Sequence, residues 1–232
     1  MCRNIPGIIG CHKLKASSSM SDKCNVVSII YKELEWADTE RCLDKVKPFY
    51  PVHFVDRRGV GSLAKAINSG FRAWANGAEY IWFVTNVTFT PECPQKLIDE
   101  MDRTGLAAIT PCFHSDHKFC RPVAGCCETR QAPFIEFTAP IVRASVFKDF
   151  PLDENMPYWG HDLDWGFRVR QAGHAIGVYY GEQLEHVYIR NTQNNQRITA
   201  RRYELRRKTN GTTRQALIAK YGPTWKRELQ YL

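Results

Sequence analysis

The sequence lacks any hydrophobic run long enough to cross a bilayer, and its first residues contain no clean signal-peptide core or cleavage site. It also lacks internal repeats and any helix-turn-helix or zinc-finger pattern, which argues against a DNA-binding protein that has no enzymatic function. What is present is a globular composition, with 44% hydrophobic and 12% aromatic residues in a chain of 232. We therefore expect a soluble, cytoplasmic protein with one substantial domain.

Nine cysteines, an odd number, in a chain without an export signal do not suggest a disulfide framework. We expect most of them to be reduced and buried as small hydrophobic side chains. One group leaves a zinc site open, because its side chains are of the right types although their spacing is tight for one tetrahedral ion. The group comprises Cys112, His114, His117 and Cys120, with Cys126 and Cys127 close behind.

The net charge of +8 is unevenly distributed along the chain. Residues 197–208 contain a single acid, Glu204, among many basic residues. Such a segment suits an anionic partner, which would be a nucleic acid, a membrane face or the phosphates of a substrate. A solvated helix face on a basic protein explains the segment at least as well. The candidate polyanion contacts are Arg197, Arg201, Arg202, Arg206 and Arg207.

Short apolar runs alternate with helically spaced segments through the first half of the chain. This alternation predicts an α/β fold with a mostly parallel central sheet and helices on both faces, in which ligands bind at the carboxyl ends of the strands. The runs predict strands at 25–30, 52–55, 80–84 and 106–110, and the spacing predicts helices at 36–46, 63–74 and 95–103.

The second half of the chain is less regular. Residues 1–24 are expected to form a lead-in, 25–190 the main domain and 191–232 a basic helical C-terminal segment. The predicted elements are a loop or short hairpin at 111–133, a strand at 135–142, a turn or helix at 145–149, a helix at 162–171, strands at 175–180 and 186–189, and helices at 196–208 and 213–221.

Two acids, Asp162 and Asp164, stand at the start of the helix predicted at 162–171, where the exposed N–H groups and the helix dipole favour negative charge. Arg168 follows Asp164 by four residues, so the two lie on one face and can pair. That pairing leaves Asp162 as a carboxylate at the mouth of a site. An ordinary capped surface helix is the alternative.

Asp56 ends the second predicted strand and precedes Arg57 and the glycine-containing segment that includes Gly61. A carboxylate at a strand end can accept hydrogen bonds from a ribose or a base edge, and glycines allow a ligand to approach the backbone closely. Arg57 is a candidate contact for a diphosphate, with a plain surface position as the alternative.

The order of these features resembles the nucleotide-sugar glycosyltransferases of the GT-A fold, most closely the family-2-like group, in which a viral or phage type is one option. The resemblance extends over residues 25–190. The matching features are the first strand at 26–30, Val55 and Asp56 with the glycines that follow, 68–70 on the next helix, 80–91, and 160–164 with Arg168 and Gly173.

The resemblance implies a transferase for a hexose or pentose, with a nucleotide-diphosphate sugar as donor and, through a single displacement, inversion at the anomeric carbon. Asp162 corresponds to the general base that deprotonates the acceptor hydroxyl. The implied donor-binding residues are Asp56, Arg57, Gly61, Asn68, Thr85 and Asn86. The implied acceptor-side and supporting residues are Trp159, His161, Asp164 and Arg168.

Two positions depart from the pattern of this family. Asn86 stands where an aspartate usually holds a divalent metal, Mn²⁺ or Mg²⁺, and a neutral amide oxygen is a weaker ligand for such a cation. His186 corresponds to a histidine that helps to hold the metal. His161 replaces the acid that usually precedes the base. These departures leave three alternatives open: weak metal binding, arginines in place of the metal, or a non-catalytic module that binds a nucleotide sugar or a partner.

The acceptor is the least defined part of this prediction. Most relatives build surface glycans, so a glycan hydroxyl is one candidate. The basic C-terminal segment also suits a hydroxymethylated base in DNA, with phosphate contacts supplying affinity and the base flipped out of the stack. Residues 111–133 are interpreted as a loop on the acceptor side.

Overall fold

The computed structural model describes residues 23–30, 33–57, 62–115, 117–156, 159–187 and 210–230. Gly61, the five arginines of the predicted polyanion contact, the helix predicted at 196–208 and most of the lead-in lie outside the described residues. The strands are β1 (Cys24–Ile30), β2 (Val52–Asp56), β3 (Tyr80–Val84), β4 (Val87–Thr88), β5 (Ala108–Phe113), β6 (Thr129–Gln131), β7 (Ile141–Arg143) and β8 (Ile176–His186). The helices are α1 (Glu33–Val46), α2 (Leu63–Trp74), α3 (Cys93–Thr104), α4 (Ala144–Asp149), α5 (His161–Gln171), α6 (described over 210–221) and α7 (Trp225–Glu228), with a 3-10 turn at Lys118–Cys120.

The strands form one mixed sheet in the order β2-β1-β3-β7-β5-β8-β4, with β6 paired to β8. β1 is parallel to β2 and β3, and β5 is parallel to β8, whereas β7 is antiparallel to both β3 and β5. The predicted parallel arrangement therefore holds for β1, β2 and β3, and β7 makes the sheet mixed. Because the direction reverses twice across β7, the carboxyl ends of β1, β2, β3 and β5 lie at one edge, which we call the carboxyl edge.

Helices cover both faces of the sheet, as the apolar strands predict. Successive residues of β1 alternate between two hydrophobic clusters, Val26 in one and Val27 in the other. The first cluster contains residues of α1 and α3, and the second contains residues of α2, α4 and α5. A strand buried on both sides has no polar face, which is why β1 reads as a continuous apolar run.

Two predictions for the second half were wrong in detail. The strand predicted at 135–142 is reduced to β7, although residues 138–140 run beside β3, where the carbonyls of Thr138 and Pro140 accept hydrogen bonds from Thr85 and Phe83. Pro140 has no N–H to return a bond, so the ladder is interrupted there.

The strands predicted at 175–180 and 186–189 belong to a single long strand, β8, as far as His186. β8 contains a bulge around Gly181, where the pairing with β5 moves from Tyr179 directly to Gln183. Residues 188 and 189 lie outside the described part of the chain.

The C-terminal helices pack against the main domain. Leu217 of α6, Trp225 of α7 and Leu229 form a buried cluster with Phe134, Met156 and Leu163. Leu163 belongs to the first turn of α5, so the C-terminal helices lie against the helix that carries Asp162.

The described chain has no helix with the length and apolar character needed to cross a bilayer. Its cysteines have free thiols, and the buried ones are Cys24, Cys93, Cys112 and Cys120.

Candidate functional site

Asp56 and Arg57, which are predicted to bind the sugar donor, lie at the carboxyl edge, at the end of β2 and just after it. Asp56 is the last residue of that strand, is exposed, and is in register with Ile30 at the end of β1. The backbone N–H of Arg57 donates to the carbonyl of Ile30 at 3.0 Å, which continues the pairing by one residue. Both side chains are therefore held at the edge by strand geometry, next to the end of β1.

The first turn of α5 carries the candidate base. Gly160 precedes the helix with a φ of 88°, and its carbonyl accepts a hydrogen bond from the N–H of Asp164 at 2.9 Å. Asp162 is half-buried, and its Oδ1 accepts a hydrogen bond from the N–H of Leu163 at 2.9 Å. A carboxylate in this turn is favoured by the unpaired N–H groups and the positive end of the helix dipole.

His161 joins the two parts of the site. Its side chain is buried, with 6% of its surface exposed, and its ring centroid lies 6.4 Å from that of Phe137. Burial lowers the pKa of His161, Asp162 raises it, and Arg57 lowers it further. The imidazole is therefore neutral at neutral pH. Arg57 is close enough to His161 to affect its pKa, so the end of β2 lies in the neighbourhood of the start of α5.

Asp162 faces the segment that was interpreted as an acceptor-side loop. Burial raises the pKa of the Cys120 thiol, and the carboxylates of Glu136 and Asp162 raise it further, so the three groups are close. Glu136 accepts a hydrogen bond from the hydroxyl of Ser115. The 3-10 turn and Glu136 therefore lie in the neighbourhood of Asp162.

Asp164 is fully buried and has three partners. The Nε of Arg168 lies 2.8 Å from Asp164 Oδ2, which is the i,i+4 contact that the sequence suggests. The Nζ of Lys220 lies 2.5 Å from Asp164 Oδ1, and the hydroxyl of Tyr221 donates to the same oxygen. Trp159 packs near Trp225 of α7, with the ring centroids 6.4 Å apart.

Strand pairing places the backbones of the two candidate metal ligands next to each other. Val87 of β4 is in register with His186 of β8, and the N–H of Val187 donates to the carbonyl of Asn86 at 3.1 Å. An amide oxygen and an imidazole fit Mn²⁺ better than Mg²⁺, which prefers oxygen ligands only. Phosphate oxygens and water would have to complete the coordination.

Asn68, a predicted donor-binding residue, is engaged in hydrogen bonds within the protein. Its side chain is buried, and the Nδ2 donates to the carbonyl of Leu152 at 2.9 Å and to Oε1 of Glu154 at 3.0 Å. Its Oδ1 accepts from the N–H of Leu152 at 3.0 Å. These bonds engage both ends of the amide in joining α2 to the loop before α5. Thr85 lies at the carboxyl edge, where its hydroxyl donates to the carbonyl of Thr138 at 3.0 Å.

The zinc interpretation of the Cys/His-rich segment finds no support in the structure. Within the described ranges, no three His, Cys, Asp or Glu side chains are grouped in a way that could hold a metal. Cys112 lies in β5, where its thiol donates to the carbonyl of Glu182 at 3.3 Å, and His117 stacks on Phe119 with the ring centroids 5.7 Å apart.

The contribution of α6 to this region is absent from the sequence prediction. Lys220 and Tyr221 lie far along the chain from Asp164, and no local spacing connects them. The helical pattern at 213–221 predicts the helix, and α6 spans 210–221, but the pattern does not indicate which face of which element it covers.

Comparisons with known proteins rest on structure alone, since no protein-family model matches the chain and no curated protein matches its sequence. The crystal structure of GalNAc-T7 with UDP, GalNAc and Mn²⁺ aligns over 73% of this chain and 44% of that chain, with 9% identity and a TM-score of 0.52. TarS of S. aureus aligns over 70% of this chain and 36% of that chain, with 14% identity and a TM-score of 0.52.

A shorter form of S. aureus TarS, residues 1–349, aligns over 71% of this chain and 60% of that chain, with a TM-score of 0.50. The chain thus spans less than two thirds of each of these proteins. At such identities the likeness concerns the fold alone. The mixed sheet, the helices on its two faces and these neighbours together confirm that the chain has the GT-A glycosyltransferase fold.

Proposed function

We propose that this protein is a glycosyltransferase that moves a sugar from a nucleotide-diphosphate sugar to an acceptor hydroxyl. The observation that carries the proposal is the meeting of two different chemistries at the carboxyl edge. Asp56 and Arg57 end one strand, and Arg57 acts electrostatically on His161, the neighbour of Asp162. A hydrogen-bond acceptor and a cation suit a nucleoside diphosphate, and a carboxylate suits an acceptor hydroxyl.

The proposed step is a single displacement. The acceptor oxygen forms a bond to the anomeric carbon as the bond from that carbon to the diphosphate oxygen breaks, and the nucleoside diphosphate leaves with the electron pair. Asp162 takes the proton of the acceptor hydroxyl as the attack develops. Such a displacement inverts the configuration of the anomeric carbon. The family usually has an acid at position 161, which would place a second negative charge beside Asp162. His161 is neutral and buried there, so that second charge is absent.

We propose that a divalent metal would be shared between the protein and the donor. Asn86 and His186 would hold it together with the donor, and it would supply positive charge to the departing diphosphate. The crystal structure of GalNAc-T7 contains UDP and Mn²⁺, which supports the same kind of donor and metal for this fold. Arg57 also supplies positive charge at this edge, so we expect the metal to increase activity without being strictly required.

Asn86→Asp is expected to increase the affinity for Mn²⁺ by about tenfold, because a carboxylate binds a divalent cation more strongly than an amide. The affinity is measured by titrating Mn²⁺ into the protein and UDP in a calorimeter. Asn86→Ala is the matched control and should weaken the affinity. Equal affinities for the wild type and all variants would show that position 86 is not a ligand.

We propose a glycan hydroxyl or a hydroxymethylated base in DNA as the acceptor. The net charge of +8 supports the second of these. A hydroxymethylated duplex should then bind with an affinity that falls steeply with salt concentration. If the protein transfers sugar to a glycan and does not bind duplex DNA, the acceptor is the glycan hydroxyl.

The test is a donor screen. The full chain is incubated with a panel of nucleotide-sugars, with Mn²⁺ or with a chelator, and with glycan or hydroxymethylated DNA acceptors, and the release of nucleoside diphosphate is recorded. Acceptor-dependent release with one donor supports the proposal and identifies the sugar. Donor binding without release from any combination would support the alternative, a catalytically inactive module that binds a nucleotide sugar or a partner.

A further inference from the structure

Lys220 and Tyr221 of α6 form what we call the C-terminal clasp with the carboxylates of Asp153 and Asp164. The Nζ of Lys220 lies 2.7 Å from Asp153 Oδ2 and 2.5 Å from Asp164 Oδ1. The hydroxyl of Tyr221 donates a hydrogen bond to Asp164 Oδ1. Two neighbouring residues of α6 therefore bind α5 and the loop that precedes it.

The clasp is neutral when the contribution of α5 is included. Asp164 has no exposed surface, and its second oxygen is 2.8 Å from the Nε of Arg168. Arg168 also donates from Nη2 to the carbonyl of Pro151 at 2.6 Å. Two carboxylates and two cations thus balance one another, which a buried carboxylate requires.

The state of Lys220 follows from these contacts. Burial alone would lower the pKa of Lys220, but its hydrogen bonds to Asp153 and Asp164 outweigh burial and raise the pKa. The ammonium group therefore remains charged across the physiological range and can bridge both carboxylates.

Close packing supports the same contact. A Cβ on Gly160 would lie 3.2 Å from Cγ2 of Thr213 and 3.4 Å from Cδ1 of Leu217, so α6 rests directly on the residue that precedes α5. The rings of Phe167 and Tyr221 have centroids 5.3 Å apart. The helix α6 therefore covers α5 on the side of Asp164.

The position of Asp162 depends on this covered face. Residues two apart on an α-helix are separated by about 200° around its axis, so Asp162 and Asp164 point to nearly opposite sides. With Asp164 bound to α6, Asp162 is directed away from α6, in agreement with its effect on the Cys120 thiol, whose pKa it raises. A rotation or fraying of this turn would change the direction of Asp162.

We propose that Lys220 and Tyr221 are positioning residues, which hold the first turn of α5 through Asp164 so that Asp162 faces the acceptor. This inference rests on the proposed role of Asp162 as the base. It assigns a catalytic consequence to a segment outside the range of residues that resemble glycosyltransferases. In this proposal the clasp acts on the reaction through Asp164 and not by contact with donor or acceptor.

The experiment compares Lys220→Met, Lys220→Arg and Tyr221→Phe in the full chain, with Lys148→Met as a control on the exposed surface of α4. Transfer is measured per UDP-binding site, together with the dissociation constant of UDP. We expect Lys220→Met to lower kcat about tenfold while UDP binding is unchanged, because a small displacement of a catalytic group is enough to slow transfer. Lys220→Arg should keep most of the activity, since it retains the bridging charge.

Amide hydrogen exchange separates failure of this inference from failure of the proposed function. Residues 161–165 should exchange about tenfold faster in Lys220→Met than in the wild type or in Lys148→Met. Should the Met variant fail to fold, Tyr221→Phe, which removes one hydrogen bond, carries the same comparison. An active wild type with unchanged kcat and exchange in the clasp variants would overturn the inference alone. An inactive wild type would overturn the function, and unchanged exchange would then overturn the clasp as well.

Discussion

Asp162→Asn is expected to lower sugar transfer by about 10²- to 10⁴-fold, which is the usual contribution of a positioned general base. The amide has nearly the shape of the carboxylate, and it can still accept the hydrogen bond from the N–H of Leu163. It cannot take the proton of the acceptor hydroxyl. Donor binding should be retained, because Asp56 and Arg57 come from the other side of the site. Initial rates of transfer and a UDP titration of the same preparation measure the two effects.

The matched control for this substitution is Asp149→Asn. Asp149 is an exposed aspartate at the end of α4 with no role in the proposed site, so the same chemical change should leave transfer within about twofold of the wild type. A variant at position 162 that keeps more than about a tenth of the wild-type rate would exclude Asp162 as the base. Glu136, which lies close enough to act on the same thiol as Asp162, would then be the next candidate.

The architecture of the first half was predictable because its signals are local. The helix at 63–74 and the strand at 80–84 have the predicted bounds, since apolar periodicity and flanking turn residues determine both. The bounds and the direction of β7 could not be found in this way. This strand has three residues, lies between β3 and β5, and reverses the direction of the sheet, which is decided by long-range pairing and not by its own sequence.

The candidate site was predictable to the extent that it depends on strand ends and helix starts. Asp56 lies at the end of a strand and Asp162 at the start of a helix, and each position follows from local sequence. The meeting of Asn86 and His186 needed the family resemblance, because β4 and β8 are distant along the chain. The hydrogen bonds of Asn68 to Leu152 and Glu154 were not predictable, because they depend on how α2 packs.

His161 shows how tertiary contacts change the chemistry that a motif suggests. In sequence it replaces an acid beside the proposed base, and a histidine can be either neutral or positively charged near neutral pH. Burial and Arg57 both lower its pKa, and neither can be read from residues 160–164 alone. The site therefore contains a neutral ring next to Asp162, in place of the second carboxylate that the resemblance implies.

Gly166→Ala is expected to destabilise the protein by about 2 kcal/mol, although alanine is the better helix former by about 1 kcal/mol. Gly166 lies in the middle of α5 and is buried. A Cβ there would be 2.8 Å from the Cα of Phe134 and 2.9 Å from the carbonyl oxygen of Pro133, and these backbone atoms cannot rotate away. The helix would have to move away from the backbone of residues 133 and 134. The measurement is urea unfolding, with a fall in melting temperature of about 4–8 °C as a second readout.

Gly211→Ala is the control for the direction of the change in stability. Gly211 is exposed in α6, and a Cβ there would have no atom within 4 Å, so alanine should stabilise the protein by up to about 1 kcal/mol. The same substitution in two helices should therefore have opposite effects. If Gly166→Ala were neutral or stabilising, α5 would not lie directly on the backbone of residues 133 and 134. Because Asp162 is carried by the same helix, a destabilised Gly166→Ala protein that still folds should also transfer sugar more slowly per UDP-binding site.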